Sequence, residues 1–131
     1  MTKSNRSLLR VIDANINRYK EGIRVVEDIY RYMYDNKEIS SKLKSLRHIE
    51  LPLDIKELLS ARDSINDVLK PSTKSEQTRN NLENVILANI KRSEESARVL
   101  EELFKLIDID TSEKFKHNRY ILYDIEKSIF S

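Results

Sequence analysis

Leu9, Ile12, Ile16, Tyr19, Ile23, Val26, Tyr30 and Met33 follow one another at steps of three and four, a spacing that only a helix gathers onto one side. The stripe predicts a first helix from about Ser7 to Tyr34, stopped at Asp35-Asn36. A second helix should begin near Ser40 and carry Ile39, Leu43 and Leu46 inward, with Pro52 interrupting it. Asp54 to Arg62 reads as a short further helix, followed by an irregular stretch from Asp63 to Ser72. Thr73 with Glu76 three residues on has the spacing of a capping box, which would open a third long helix running to Ile107. A turn over Asp108 to Asp110 leads to a last helix from about Thr111 to Ile129. The expected fold class is all-α.

When residues 8–33 are laid on 82–107, eleven of the 26 positions are identical, among them Asn15/Asn89, Arg18/Arg92, Glu21/Glu95, Arg24/Arg98 and Glu27/Glu101. Beyond the turns, Lys42-Leu43-Lys44 with Arg47 is echoed by Lys114-Phe115-Lys116 with Arg119, two residues out of that register. Each half therefore reads as a long helix plus a shorter one. Two such hairpins, about 8–50 and 82–125, make a pseudo-twofold bundle within one helical domain spanning 1–131.

A second stripe runs beside the first on each long helix: Leu8, Val11, Asn15, Arg18, Gly22, Val25, Ile29, and in the other half Leu82, Val85, Asn89, Arg92, Ser96, Val99, Leu103. Both are apolar at their ends and carry Asn, Arg and a very small residue in the middle. Burying Asn and Arg is costly unless each finds partners, so matching interruptions ask for a shared cause. One is a polar cavity between the long helices, with Gly22 and Ser96 leaving room for a ligand and Arg18 and Arg92 offering forked donors to phosphate or carboxylate. The other is that Asn and Arg satisfy each other and nearby Glu21 or Glu95, fixing helix register. Glu21 and Glu95 lie one turn from those arginines, placed to orient them or to hold a ligand amine. Arg24 with Asp28, Glu27 with Arg31 and Arg98 with Glu102 have i,i+4 spacing and read most simply as a solvated face of ion pairs.

Arg62-Asp63-Ser64-Ile65-Asn66-Asp67 has no counterpart in the repeat. An Arg beside two Asp four residues apart suits a nucleotide and its Mg²⁺, or else a solvated turn capped locally by Asp63. Neither His48 nor His117 supports a metal site. The run Tyr30, Tyr32, Tyr34 reads as core and helix end.

Composition narrows the functions. The 131 residues carry one Gly, no Cys, two His and a net charge of +2. A single Gly excludes the glycine-rich phosphate loops, and the absence of Cys removes disulfides, thiolate zinc sites and thiol catalysis. The near-neutral balance disfavours nucleic acid as a partner. No apolar run long enough to span a membrane is present. A soluble, cytoplasmic protein is expected.

Asp13-Ala14-Asn15-Ile16-Asn17-Arg18 and Glu21-Gly22-Ile23-Arg24-Val25-Val26-Glu27-Asp28 resemble the opening of the small helical hydroxymethylpyrimidine-phosphate kinase family, which occurs alone or fused to thiamine-phosphate synthase. Leu46-Arg47-His48, Ala61-Arg62-Asp63 with Asp67-Val68, Glu76 with Arg79, Ala88-Asn89 with Lys91-Arg92, and Glu95 with Arg98-Val99-Leu100-Glu101-Glu102 continue the likeness in order. The sequence departs from that pattern at Leu69, where Gly is expected, and at Ser96, where Ala is usual. The resemblance implies phosphoryl transfer from ATP to hydroxymethylpyrimidine monophosphate in thiamine biosynthesis. It assigns Arg18, Arg92 and Arg62 to the phosphates and Mg²⁺ to Asp63 or Asp67. Asn15, Asn89, Glu21 and Glu95 then face the aminopyrimidine, with Arg24 and Arg98 as further binding candidates. A different class of function is a helical interaction module with no chemistry of its own, which docks on thiamine-phosphate synthase or forms a homo-oligomer through the heptad stripe.

Overall fold

A computed structural model describes residues 3–73 and 80–131. The first apolar stripe becomes α1, Lys3–Asp28, and its members from Leu9 to Tyr30 are all buried, whereas Met33 is exposed. Past Asp28 the helix widens over Ile29–Met33, where Tyr34 N donates to Ile29 O, five residues back, at 3.3 Å. Asp35 then takes a left-handed φ of 49°, and Asn36 N donates to Tyr30 O at 2.8 Å. That bond, reaching six residues back, closes the widened helix around a left-handed residue of the kind usually served by glycine. Asn36 next turns its side chain forward to accept from Ile39 N at 3.0 Å, so one residue ends the first helix and caps the second.

That cap places the start of α2, Lys37–Arg47, three residues ahead of Ser40. The helix ends at Arg47, before Pro52 is reached. α3, Ile55–Ala61, is capped by Asp54, whose carboxylate accepts from Lys56 N at 3.0 Å. The stretch that follows is irregular from Arg62 to Thr73. α4 spans Leu82–Phe104 and begins at Asn81, which accepts from Asn84 N at 2.8 Å. The helix therefore does not start at Thr73, which lies in irregular chain, and Glu76 and Arg79 fall outside the described residues. α5, Ile109–Ile129, starts two residues before Thr111.

The protein is all-helical, and its arrangement is the expected pseudo-twofold bundle. α1 and α4 share the most extensive contact, α5 packs on α4, and α2 and α3 pack on α1. Tyr19, fully buried, joins four elements. Its hydroxyl donates to Leu46 O of α2 at 2.8 Å and accepts from Asn118 Nδ2 of α5 at 3.0 Å, while its carbonyl accepts from Ser93 Oγ of α4 at 2.9 Å. Its ring meets Phe115 edge-on at 5.3 Å between centroids, and Phe115 stacks on Phe104 at 5.7 Å. Among the described residues no helix is long and apolar enough to cross a membrane.

At Gly22 α1 and α4 approach one another closely. A Cβ there would lie 2.3 Å from Ser93 Oγ and 2.7 Å from the backbone carbonyl of Asn89. The space expected for a ligand beside Gly22 is therefore filled by α4. The glycine is there for packing between backbones.

Candidate functional site

Both halves of the repeat share one buried device. Glu27, 1% exposed in its side chain, takes Arg47 Nε at 2.7 Å and Nη2 at 3.2 Å, joining α1 to α2. Glu101 takes Arg119 Nε at 3.1 Å and Nη2 at 2.8 Å, joining α4 to α5. Leu43 and Phe115, four residues before each arginine, are both fully buried. The expected Glu27–Arg31 surface pair is corrected accordingly: Glu27 faces inward and its partner lies on the next helix. The signal was in the sequence, since Glu27/Glu101 are repeat identities and Arg47/Arg119 are echoed, but i,i+4 spacing offered a nearer partner.

A sizeable cleft lies where the repeat is broken. About 680 Å³ in volume, it opens between the first half of α1 and the segment after α3, and Asn15, Arg18, Arg62, Asp63 and Asp67 all line it. Arg62 is held by Asp13 through two bonds of 2.7 Å. Asp13 is buried, and its hydrogen bonds make the guanidinium hold its proton more firmly. Arg10 Nη2 donates to Asp63 O at 2.8 Å, fastening the segment to α1 a second time. The Asp63 carboxylate accepts from Asn66 N at 3.2 Å and Nδ2 at 2.7 Å, which together hold its carboxyl below the usual range. Asp67 accepts from Leu69 N at 3.0 Å. Both proposed Mg²⁺ ligands thus cap turns, and among the described residues no group of three or more His, Cys, Asp or Glu is placed to hold a metal ion. Arg18 is the cleft's cation with no hydrogen bond or ion pair among the described residues. Arg10 and Asp13 were not among the residues expected here, although Asp13 opens the first stretch of the family resemblance.

The candidates from the second half do not join this cleft. The expected cavity shared by Arg18 and Arg92 is not formed: both arginines are exposed, and each Asn turns back on its own helix. Asn15 Nδ2 donates to Val11 O at 2.9 Å and Asn89 Nδ2 to Val85 O at 2.8 Å. This back-bonding satisfies an inward amide without a ligand. Glu95 is exposed, and Arg98 pairs with Glu101 at 3.3 Å and Glu102 at 3.5 Å. Arg24 pairs with Asp28 at 3.3 Å. With Glu21 it lines a smaller hollow of about 390 Å³ against the end of α2. The heptad stripe expected to mediate self-association is spent in the core.

The model of the ThiD2 family matches residues 10–128. A protein of Synechocystis named thiamine-phosphate synthase is 36% identical over 124 residues, covering 94% of this chain and 36% of that protein. Proteins of the same name from Nostoc punctiforme and Rhodopirellula baltica are each 34% identical, covering 92% and 91% of this chain but 34% and 33% of their own length. The chain thus spans about a third of the length of these curated relatives. No solved structure matches. These names correct the expected activity: the relatives are called thiamine-phosphate synthase and none of them a kinase, so the reading as an ATP-dependent hydroxymethylpyrimidine-phosphate kinase is set aside.

Proposed function

The chain belongs to the ThiD2 family, and from that premise we propose that it is a helical module of thiamine biosynthesis that acts by docking on thiamine-phosphate synthase. The observation that carries this reading is the asymmetry of coverage. Nearly the whole chain, 94%, corresponds to only 36% of a protein named for that synthase. A unit that makes up about a third of longer synthases is suited to packing against a synthase, whether in the same chain or in another.

The side assigned to the partner is the edge formed by α3 and the segment after it. Ile65, Val68 and Leu69 are 80%, 91% and 80% exposed, and Ile55 and Leu59, on the α3 helix that precedes them, are exposed as well. Large apolar side chains exposed within one short stretch of chain favour a protein contact. The same segment borders the 680 Å³ cleft, so a synthase seated there would close the mouth lined by Arg18 and Arg62. Sedimentation velocity of the purified chain with the thiamine-phosphate synthase of its own organism should show a complex. The Val68→Asp/Leu69→Asp variant should lose it with an unchanged far-UV spectrum. No complex at tens of micromolar of each protein, or a complex indifferent to the double variant, overturns the proposal.

A further inference from the structure

The two Glu–Arg clamps differ in one respect. In the second half, α5 continues past Arg119, and the next turn returns Tyr123, whose hydroxyl accepts from Arg119 Nη1 at 3.0 Å. All three guanidinium nitrogens of Arg119 are then engaged, two by Glu101 and one by Tyr123. In the first half, α2 stops at Arg47, so no further turn exists to bring a hydroxyl back. Glu27 takes Nε and Nη2, and Nη1 carries no partner among the described residues.

Arg47 is also a wall of the 390 Å³ hollow, together with Lys20, Glu21, Arg24 and His48. Lys20, Arg24 and Arg47 thus meet Glu21 in one hollow with an imidazole beside them, Arg24 and Arg47 also carrying ion pairs with Asp28 and Glu27. Neither Lys20 nor His48 has a side-chain hydrogen bond or ion pair among the described residues. Two carbonyls in the last turns of α2 are already used, Lys44 O by His48 N and Leu46 O by the Tyr19 hydroxyl. This weakens the negative pull that a helix C-terminus would otherwise exert on an anion. The arginine itself is held rigidly by a buried carboxylate, so its free nitrogen needs no reorganisation to donate.

We propose that this hollow, between α1 and the end of α2, binds a small oxyanion group, phosphate or carboxylate, through Arg47 Nη1, Lys20, Arg24 and His48. The site is separate from the cleft at Arg18 and Arg62, and the proposal does not depend on docking to a synthase.

Titration of the ¹⁵N-labelled full chain with inorganic phosphate tests it, with chloride at matched ionic strength as control and acetate as a second arm. The expected result is saturable shift changes centred on the amides of residues 20, 24, 47 and 48. Lys20→Met should weaken the affinity about tenfold, with Arg24→Met as a second variant should the first melt early. Stronger saturation by acetate than by phosphate identifies a carboxylate as the preferred group, and the reverse a phosphate. A response no different from chloride, a response confined to residues near Arg18 and Arg62, or equal affinities for the parent and a folded variant each overturn the site.

Discussion

Glu94 is a carboxyl group that has lost its water without gaining a full set of partners. On α4 it is 4% exposed, Lys91 Nζ lies 3.4 Å from Oε1, and buried Oε2 receives no N–H or O–H donor among the described residues. Lys91 instead favours Glu126 of α5, at 2.9 Å. Burial first, and then the hydrogen bond with Glu126, push the Glu94 carboxyl up to about 8. That same bond, followed by Lys91, holds Glu126 below the usual carboxylate range. Glu94 therefore keeps its proton near neutrality and lends it to its neighbour. Unfolding returns it to a model value of 4.5, so between those values the folded chain binds more protons than the unfolded one. Stability from this group is full below about pH 4.5 and is lost as pH rises toward 8, at a slope of up to ~1.4 kcal/mol per unit. Glu126, shifted downward, acts in the opposite sense and only at acid pH. Urea midpoints measured from pH 5.5 to 8.5 should fall for the parent and stay nearly level for Glu94→Gln, which keeps the shape and carries no titrating proton. Parallel profiles would falsify the assignment.

At the scale of elements, each hairpin of the bundle is locked by one buried acid and one arginine reaching from the neighbouring helix. Removing one member of such a pair strands the other charge, which costs about 3–5 kcal/mol, whereas replacing both by apolar groups of similar volume is often close to neutral. Arg119→Met should therefore depress the urea midpoint sharply, and Glu101→Leu/Arg119→Met should recover most of the loss. A double variant as unstable as the single one would mean that packing around Arg119, including its contacts with the Tyr120 and Tyr123 rings at 5.1 and 5.6 Å, matters more than the charge pair. These clamps also show what periodicity can and cannot reveal. Steps of three and four located the first long helix, and the internal repeat its counterpart in the second half, because burial of one face is written into the order of residues. The ends moved where a cap decided them, as at Asn36 and Asn81. The polar residues were harder. Glu27 was visible as a repeat identity, yet its partner Arg47 lies twenty residues away on another helix, and linear spacing favoured Arg31. For the cleft, the sequence supplied Arg18, Arg62, Asp63 and Asp67. Asp13, which orients Arg62 from 49 residues away, opened a stretch of the family resemblance, but nothing in linear spacing tied it to Arg62.

At the scale of the molecule, the two repeats are joined twice. The chain passes from one to the other through the segment after α3, and α1 and α4 meet along their length with Gly22 at a close crossing. The second connection should make the first dispensable. Val68–Leu69 is the exposed bond a protease favouring apolar side chains would reach, and cutting it severs the backbone without touching the interface between the long helices. The nicked protein should run as a single peak of unchanged volume on size exclusion, retain its helical spectrum, and fall into two fragments only in denaturant. Fragments that part company in native buffer would show that the crossing alone is too weak to hold them. If they stay together, the peptide link between the repeats serves to keep two self-recognising halves at high effective concentration, a tether for a dimer folded within one chain.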